Sequence, residues 1–346
     1  MAPILRSAAT RMAIVGALVA ALVSLAASCS DPSGSQQAGL RKVRIQLNWV
    51  PEPEFGGLYA AVQDGLMRQA GFEVEIIKDT GGTAVPQLIA QGVCDLGFIS
   101  GDQILTLREQ GGDLVAVFNV FDITPYGFMV HAADAPESIE AVWKGPGTLA
   151  CESGLPAIKL MQAKYGPSGR KLVPWAGATA NFLADPTLAV QCFITSEPPL
   201  MDLQKVPVKV FRISEAGYNP YTEVLAMRRG GMDDATLRRF MTAHQEGWRR
   251  YLAEPARYNP AIAALNPAMS LEAMNLGAER MREFLVTPWT RAHGLGSMDP
   301  RRWQAMVDAL SELGVIRVRP DPASLMHWVL DPPTADTVVT PSGQPG

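Results

Sequence analysis

Charge is scarce in this 346-residue chain: Asp, Glu, Lys and Arg make up 18% of it, against roughly 25% in an average soluble domain. The 30 basic and 34 acidic residues nearly balance, at a formal net charge of −4, and Lys and Arg form no block anywhere. That argues against a nucleic-acid surface, which needs many phosphate-neutralising cations. The chain has four cysteines and no Cys-x-x-Cys, so a dithiol or zinc site of that form is missing. Also missing are a His-Glu-x-x-His pair, a Gly-x-Ser-x-Gly elbow, a phosphate loop ending in Gly-Lys-Ser/Thr and a Gly-x-Gly-x-x-Gly after a strand. The four histidines, His131, His244, His293 and His327, stand singly. The usual signs of an enzyme, a metal site or a cofactor are therefore absent, and no cofactor is expected. Long apolar runs are limited to one, which excludes a polytopic membrane protein.

That run is N-terminal. Arg6 and Arg11 precede the apolar and small residues Met12 to Ala27, which end in Ala26-Ala27-Ser28-Cys29 and turn polar at Ser30. The stretch falls short of the roughly 20 residues needed to span a bilayer and has the form of a secretory signal over 1–28. Small residues before Cys29 make it a candidate acylated cysteine, with 29–42 as a flexible tether, although Leu25 lies one place further out than the preferred lipobox position. An exported, lipid-anchored protein is the expectation. Cys94, Cys151 and Cys192 remain. Their apolar neighbours read as buried thiols, and Cys151 and Cys192 would pair only if their strands are adjacent.

From Val43 onward, short strands alternate with helices, the pattern of a parallel sheet covered on both faces. Strands are expected at Val43–Trp49, Phe72–Ile76, Asp95–Ser100 and Leu114–Phe121, with helices between. After Tyr126–His131, a second series has strands at Thr148–Glu152, Leu172–Trp175, Leu188–Thr195 and Val208–Ile213. Tyr221–Met227 reads as a strand crossing back, followed by mostly helical sequence from Asp233. The fold class expected is α/β, with two Rossmann-like lobes: 43–125 plus 222–330, and an inserted 126–221. Two crossing segments would leave a ligand cleft at the strands' carboxyl ends. Residues 331–346 read as a tail.

Polar and aromatic residues gather where these strands end. In Asn48-Trp49-Val50-Pro51-Glu52-Pro53-Glu54-Phe55-Gly56-Gly57-Leu58-Tyr59, Trp49, Phe55 and Tyr59 offer faces for stacking and Asn48 a directional hydrogen bond. Ser100 and Asp102 open a helix, where they serve either a ligand or the cap. Glu152, Ser153 and Gly154 hold the same place in the second lobe. Glu197 suits an amine or a ring N–H, or else the helix dipole. Trp175, Tyr218 and Tyr221 are candidates for closing an aromatic sandwich, with Tyr126 at a hinge.

The ordered set Leu47-Asn48-Trp49-x-Pro51, Phe55-Gly56-Gly57-Leu58-Tyr59-x-Ala61, Gly71-Phe72-x-Val74, Gly92-x-x-Asp95-Leu96-Gly97 and Thr195-Ser196-Glu197-Pro198 resembles the NMT1/THI5-like family of ABC-transporter solute-binding proteins. The resemblance runs from about Val43 to Leu313. It implies a type II periplasmic-binding-protein fold that closes on a small molecule and delivers it to a permease and its ATPase. The implied ligand class is a pyrimidine precursor of thiamine, and the implied state a monomer. The superfamily also includes enzymes that make that pyrimidine from histidine and pyridoxal phosphate. Those carry a lysine and a histidine just after the strand ending near Ser100, and a cysteine cluster near the return crossing. Here Ile99–Gln103 and Tyr218–Met227 contain none of these residues, and without the lysine no Schiff base forms. The enzyme and a ligand-sensing lipoprotein remain the alternatives.

Overall fold

A computed structural model describes residues 39–79, 83–133, 135–152, 154–175, 177 and 179–332. The signal and Cys29, most of the tether, Ser153 and the tail beyond residue 332 lie outside the described residues. The strands are β1 (Arg41–Gln46), β2 (Phe72–Ile77), β3 (Leu96–Ile99), β4 (Leu114–Phe121), β5 (Tyr126–His131), β6 (Thr148–Cys151), β7 (Lys171–Pro174), β8 (Ala189–Phe193), β9 (Val208–Arg212) and β10 (Thr222–Arg228). They form two five-stranded sheets, in the orders β2-β1-β3-β10-β4 and β7-β6-β8-β5-β9.

Each strand's burial follows its sequence. β4, Leu-Val-Ala-Val-Phe-Asn-Val-Phe, is buried along its whole length, as a continuous apolar run requires when both sheet faces are covered. β2 sits at the edge of its sheet, where Phe72 is buried and Glu73 exposed.

The sheets are mixed rather than parallel, which corrects the sequence expectation. β1 runs parallel to β2 and β3, but β10 is antiparallel to β3 and β4. β6 runs parallel to β7 and β8, whereas β5 is antiparallel to β8 and β9. The reversed strands are the two that follow the crossings. Only residues 122–125 separate β4 from β5, too few to carry the chain to the far end of a sheet for a parallel entry. β5 and β10 therefore begin at the edge where the other strands end.

Helix Asp234–Ala253, capped by Asp233, which accepts from the Thr236 N–H at 2.9 Å, lies against helix Gly56–Gln63. Trp248, Tyr251, Phe240 and Met241 face this contact and the first sheet's core. His244, fully buried in that core, accepts from Trp248 Nε1 at 3.2 Å, and burial drives its pKa down to about 3. It is a neutral core histidine.

Cys94, Cys151 and Cys192 are buried free thiols. β6 and β8 are neighbours, but their register sets Ala150 opposite Val190, which brings Gln191 rather than Cys192 beside Cys151. An offset of one residue turns the two sulfurs to opposite faces.

Candidate functional site

The ends of both sheets open onto a cleft of about 810 Å³. Of the sequence-predicted residues, Asn48, Trp49, Ser100, Asp102, Tyr126, Glu152, Gly154, Trp175, Glu197 and Tyr218 line it. They come from the loop after β1, the start of helix Gly101–Glu109, the start of β5, the ends of β6, β7 and β8, and the second crossing.

Three predicted residues stand elsewhere. Phe55 is fully buried, edge-on to Phe98 with ring centroids 5.1 Å apart. Tyr59, one helical turn further on, packs against the same core, because residues four apart share a helix face and this face turns inward. Its buried hydroxyl has no partner among the described residues. Tyr221 is buried too. Its hydroxyl donates to the Asp299 carbonyl at 3.3 Å and accepts from the Asp299 N–H at 2.6 Å, and the Arg302 guanidinium lies 3.9 Å from its ring centre. It pins the second crossing to helix Pro300–Glu312.

The cleft also gathers residues that sequence reasoning did not single out: Glu52, Glu54, Asp79, Gln191, Phe193 and Glu223. Glu223 is the least expected, since it sits in β10 between the buried Thr222 and Val224. A glutamate within an otherwise apolar strand was a signal in the sequence. An all-parallel sheet with its carboxyl ends at the cleft gives no reason for the start of a strand to face it, and β10 is antiparallel. Glu52 and Glu54, two apart on either side of Pro53, were a second unused signal.

Four of the acidic side chains are individually held. Glu52 accepts from Ser196 Oγ at 2.7 Å, linking the loop after β1 to the turn after β8. Glu197 accepts from the Phe193 N–H at 2.8 Å. Gln191 accepts from the Glu152 N–H at 2.9 Å and donates to Glu152 Oε1 at 3.1 Å. Asp102 accepts from the Tyr218 hydroxyl at 2.8 Å. Ser100 is partly committed, with its N–H donating to Gln103 Oε1 at 2.9 Å and its hydroxyl reaching the Tyr221 carbonyl at 3.4 Å.

Behind this frame, Gly277 of helix Leu271–Leu285 abuts the Thr195 carbonyl and Pro53. One helix thus supports both acidic turns. Aromatic surface comes from Trp49, Trp175 and Tyr126, the last edge-on to Phe193 with centroids 4.7 Å apart. Gly177, at φ +76°, brings backbone close to the Trp49 indole, where a Cβ would stand 3.0 Å away.

Seven carboxylates (Glu52, Glu54, Asp79, Asp102, Glu152, Glu197, Glu223) face this space with Lys159 as the one cation among the described lining residues. Burial opposes the ionisation of Glu52, Glu54, Asp102, Glu152, Glu197 and Glu223. Burial raises Glu52 to about 7 against its hydrogen bonds from Ser196 and Trp49. Burial and then the charge of Glu52 raise Glu197 to about 8. Burial raises Glu223 to about 8 against the Asn48 hydrogen bond. Glu54 is raised well above the ordinary range by burial, then by the charges of Glu52, Glu223 and Glu197.

In the unfolded chain these groups ionise near 4.5, so over the interval up to 8 the folded protein holds the extra protons. Stability falls as pH rises through that interval. His244 acts oppositely only below its ordinary value of 6.5. Between pH 6.5 and 8.5 the ligand-free protein is therefore expected to lose a few kcal/mol, at ~1.4 kcal/mol per pKa unit and group. For a chain of this size that is a fall of roughly 5–10 °C in Tm, readable by scanning calorimetry. A flat or rising Tm over this window would refute the burial of ionisable acid here.

As its acids ionise, such a lining repels oxyanions and attracts cations and N–H donors, and a bound cation in turn favours that ionisation; its aromatic walls suit a flat molecule. Among the described residues no three His, Cys, Asp or Glu side chains are grouped closely enough to hold a metal ion.

A family model described as NMT1/THI5 like matches residues 52–258. A formylaminopyrimidine-binding protein of Halalkalibacterium halodurans is 29% identical over 297 residues, which cover 82% of this chain and 89% of that one. Among solved structures, the periplasmic aliphatic sulphonate binding protein of Escherichia coli superposes with a TM-score of 0.62 at 14% identity, covering 83% and 97% of the two chains. The alkanesulfonate-binding protein of Xanthomonas axonopodis pv. citri does so with a TM-score of 0.62 at 15% identity, covering 84% and 99%. At these identities the structural likeness shows the fold: two α/β lobes of the periplasmic-binding-protein type.

Proposed function

Since the chain belongs to the NMT1/THI5-like family, we propose that it is the extracytoplasmic solute-binding protein of an ABC importer. Its ligand is a small flat heteroaromatic amine of the thiamine-pyrimidine-precursor kind. The observation that carries this reading is the pairing of aromatic walls with an almost wholly acidic lining. It favours the chemistry named for the Halalkalibacterium relative over that named for the sulfonate-binding neighbours. An oxyanion entering this cleft meets carboxylates and one lysine. An aminopyrimidine meets acceptors for its N–H groups and stacks on Trp49, Trp175 or Tyr126.

In this reading 43–125 plus 222–330 and 126–221 are the two lobes, and the crossings 122–125 and 217–221 are the hinge. Asn48, Trp49 and Asp102 bind from one lobe, and Glu152, Trp175 and Glu197 from the other. Ligand bridging the lobes shifts a pre-existing open–closed equilibrium, and the permease reads the closed form. Export by residues 1–28 and lipid on Cys29 would hold a monomer at the outer face of the cytoplasmic membrane. The protein binds without chemistry on the ligand, so a bound pyrimidine is recovered unchanged.

Titration calorimetry tests the reading with two probes, 4-amino-2,5-dimethylpyrimidine and an alkanesulfonate, at pH 7.5. Expected are saturable heats for the pyrimidine at micromolar concentration and none for the sulfonate up to millimolar. The reverse selectivity would sink the proposal.

A further inference from the structure

Glu223 does more than add one acid to the lining. Its side chain is 3% exposed, and its backbone is at φ +56°, in the left-handed region that costs an L-residue roughly 1–2 kcal/mol. Strain of that kind inside a strand persists only where the surrounding structure enforces it. Its Oε1 accepts from Asn48 Nδ2 at 3.0 Å. That donation turns the amide so that its oxygen stays an acceptor. Asn48 Oδ1 and Glu223 Oε2 are both buried, and neither has a hydrogen-bond partner among the described residues.

Two adjacent residues of the cleft wall thus each present an oxygen without a partner among the described residues, and both are unpaired acceptors once Glu223 ionises. A buried unpaired acceptor costs about 1–3 kcal/mol. A single ammonium group, all donors and positively charged, satisfies both at once.

We propose that Asn48 and Glu223 form a second anchor in the cleft, distinct from Glu197, that selects ligands carrying a free basic amine in addition to the aromatic ring. This rests on the functional reading above and narrows it to the aminoalkyl form, against a neutral methyl counterpart. The titratable groups facing Glu223 are Glu52 and Glu54 from the loop after β1, Glu152 from the end of β6 and the Tyr126 hydroxyl at the start of β5. All are acidic, so none competes with the ligand as the counter-charge. Burial raises Glu223, so much of the population carries a proton there at pH 7, and seating an ammonium expels it.

Calorimetry with 4-amino-5-aminomethyl-2-methylpyrimidine and 4-amino-2,5-dimethylpyrimidine decides the matter. The unaltered protein is expected to bind the aminomethyl compound at least about 30-fold more tightly, and Glu223→Gln to bring that ratio near 1. A ratio near 1 in the unaltered protein, or a ratio kept in Glu223→Gln, overturns the proposal while leaving the pyrimidine reading intact. Should Glu223→Gln fail to fold, the unaltered protein still answers when titrated at pH 7 in two buffers of different ionisation enthalpy. Close to one more proton should be released with the aminomethyl compound than with the dimethyl one, and equal release overturns the anchor. Binding of neither pyrimidine overturns the functional reading and this inference together.

Discussion

At pH 8.5, where the carboxyl raised to about 8 is largely ionised, Glu197→Gln is expected to weaken binding of 4-amino-2,5-dimethylpyrimidine about 100-fold, from the loss of one charge-assisted hydrogen bond and its replacement by a mismatched donor. Glu197 accepts from the Phe193 N–H through one oxygen, and a glutamine oxygen keeps that bond. The other position changes from acceptor to NH2 donor, so a ligand N–H meets a donor. The fold should not suffer. Above pH 8 the variant should even melt higher, because the folded carboxyl, raised to about 8 by burial, ionises there at a cost that the amide does not carry. Weaker binding with an unchanged or raised Tm at pH 8.5 supports a direct ligand contact. Unchanged affinity removes Glu197 from the site.

Gly247→Ala is expected to cost roughly 2–3 kcal/mol, a large part of the stability of an ordinary domain. Alanine is intrinsically better in a helix by about 1 kcal/mol, so tertiary contact must explain the sign. Helix Asp234–Ala253 crosses helix Gly56–Gln63 so closely that a Cβ on residue 247 would overlap the Gly57 carbonyl and stand 2.6 Å from the Ala61 Cβ. On the other side, a Cβ on Gly57 would run into the Trp248 indole. Backbone on a packed helix cannot swing aside as a flexible side chain does. The variant's denaturation midpoint should fall with its m-value unchanged. A midpoint equal to or above that of the unaltered protein would show that the helices are not in this contact.

Much of the fold was legible because its signals are local. The alternation in Val43–Trp49 and Phe72–Ile76 marks β1 and β2, although β1 begins two residues earlier and ends three earlier, and the apolar run 114–121 marks β4 at its observed bounds. The reversed strands were not legible. Tyr126–His131 and Tyr221–Met227 read correctly as strands, but a strand's direction depends on how far the preceding connection reaches. The site divides the same way. Asn48, Trp49, Glu152 and Glu197 line the cleft, as strand ends do in α/β folds. Glu223 was missed because it stands at a strand's beginning. Phe55 and Tyr59 pack on the core, and an aromatic residue four positions from another announces a shared helix face without saying which way that face turns.

By itself, the sequence determined the element order, the family, the absence of the common catalytic motifs and the strand-end turns that carry polar groups, since each is set by residue type and spacing over a few positions. Only the tertiary structure decided that seven acids from separate segments share one cleft, that three of the proposed aromatic and crossing residues belong to the core, and that Glu223 leaves an acceptor unpaired beside Asn48. Burial and pairing are properties of neighbours brought from far along the chain, 175 residues apart for Asn48 and Glu223, and no local pattern encodes them.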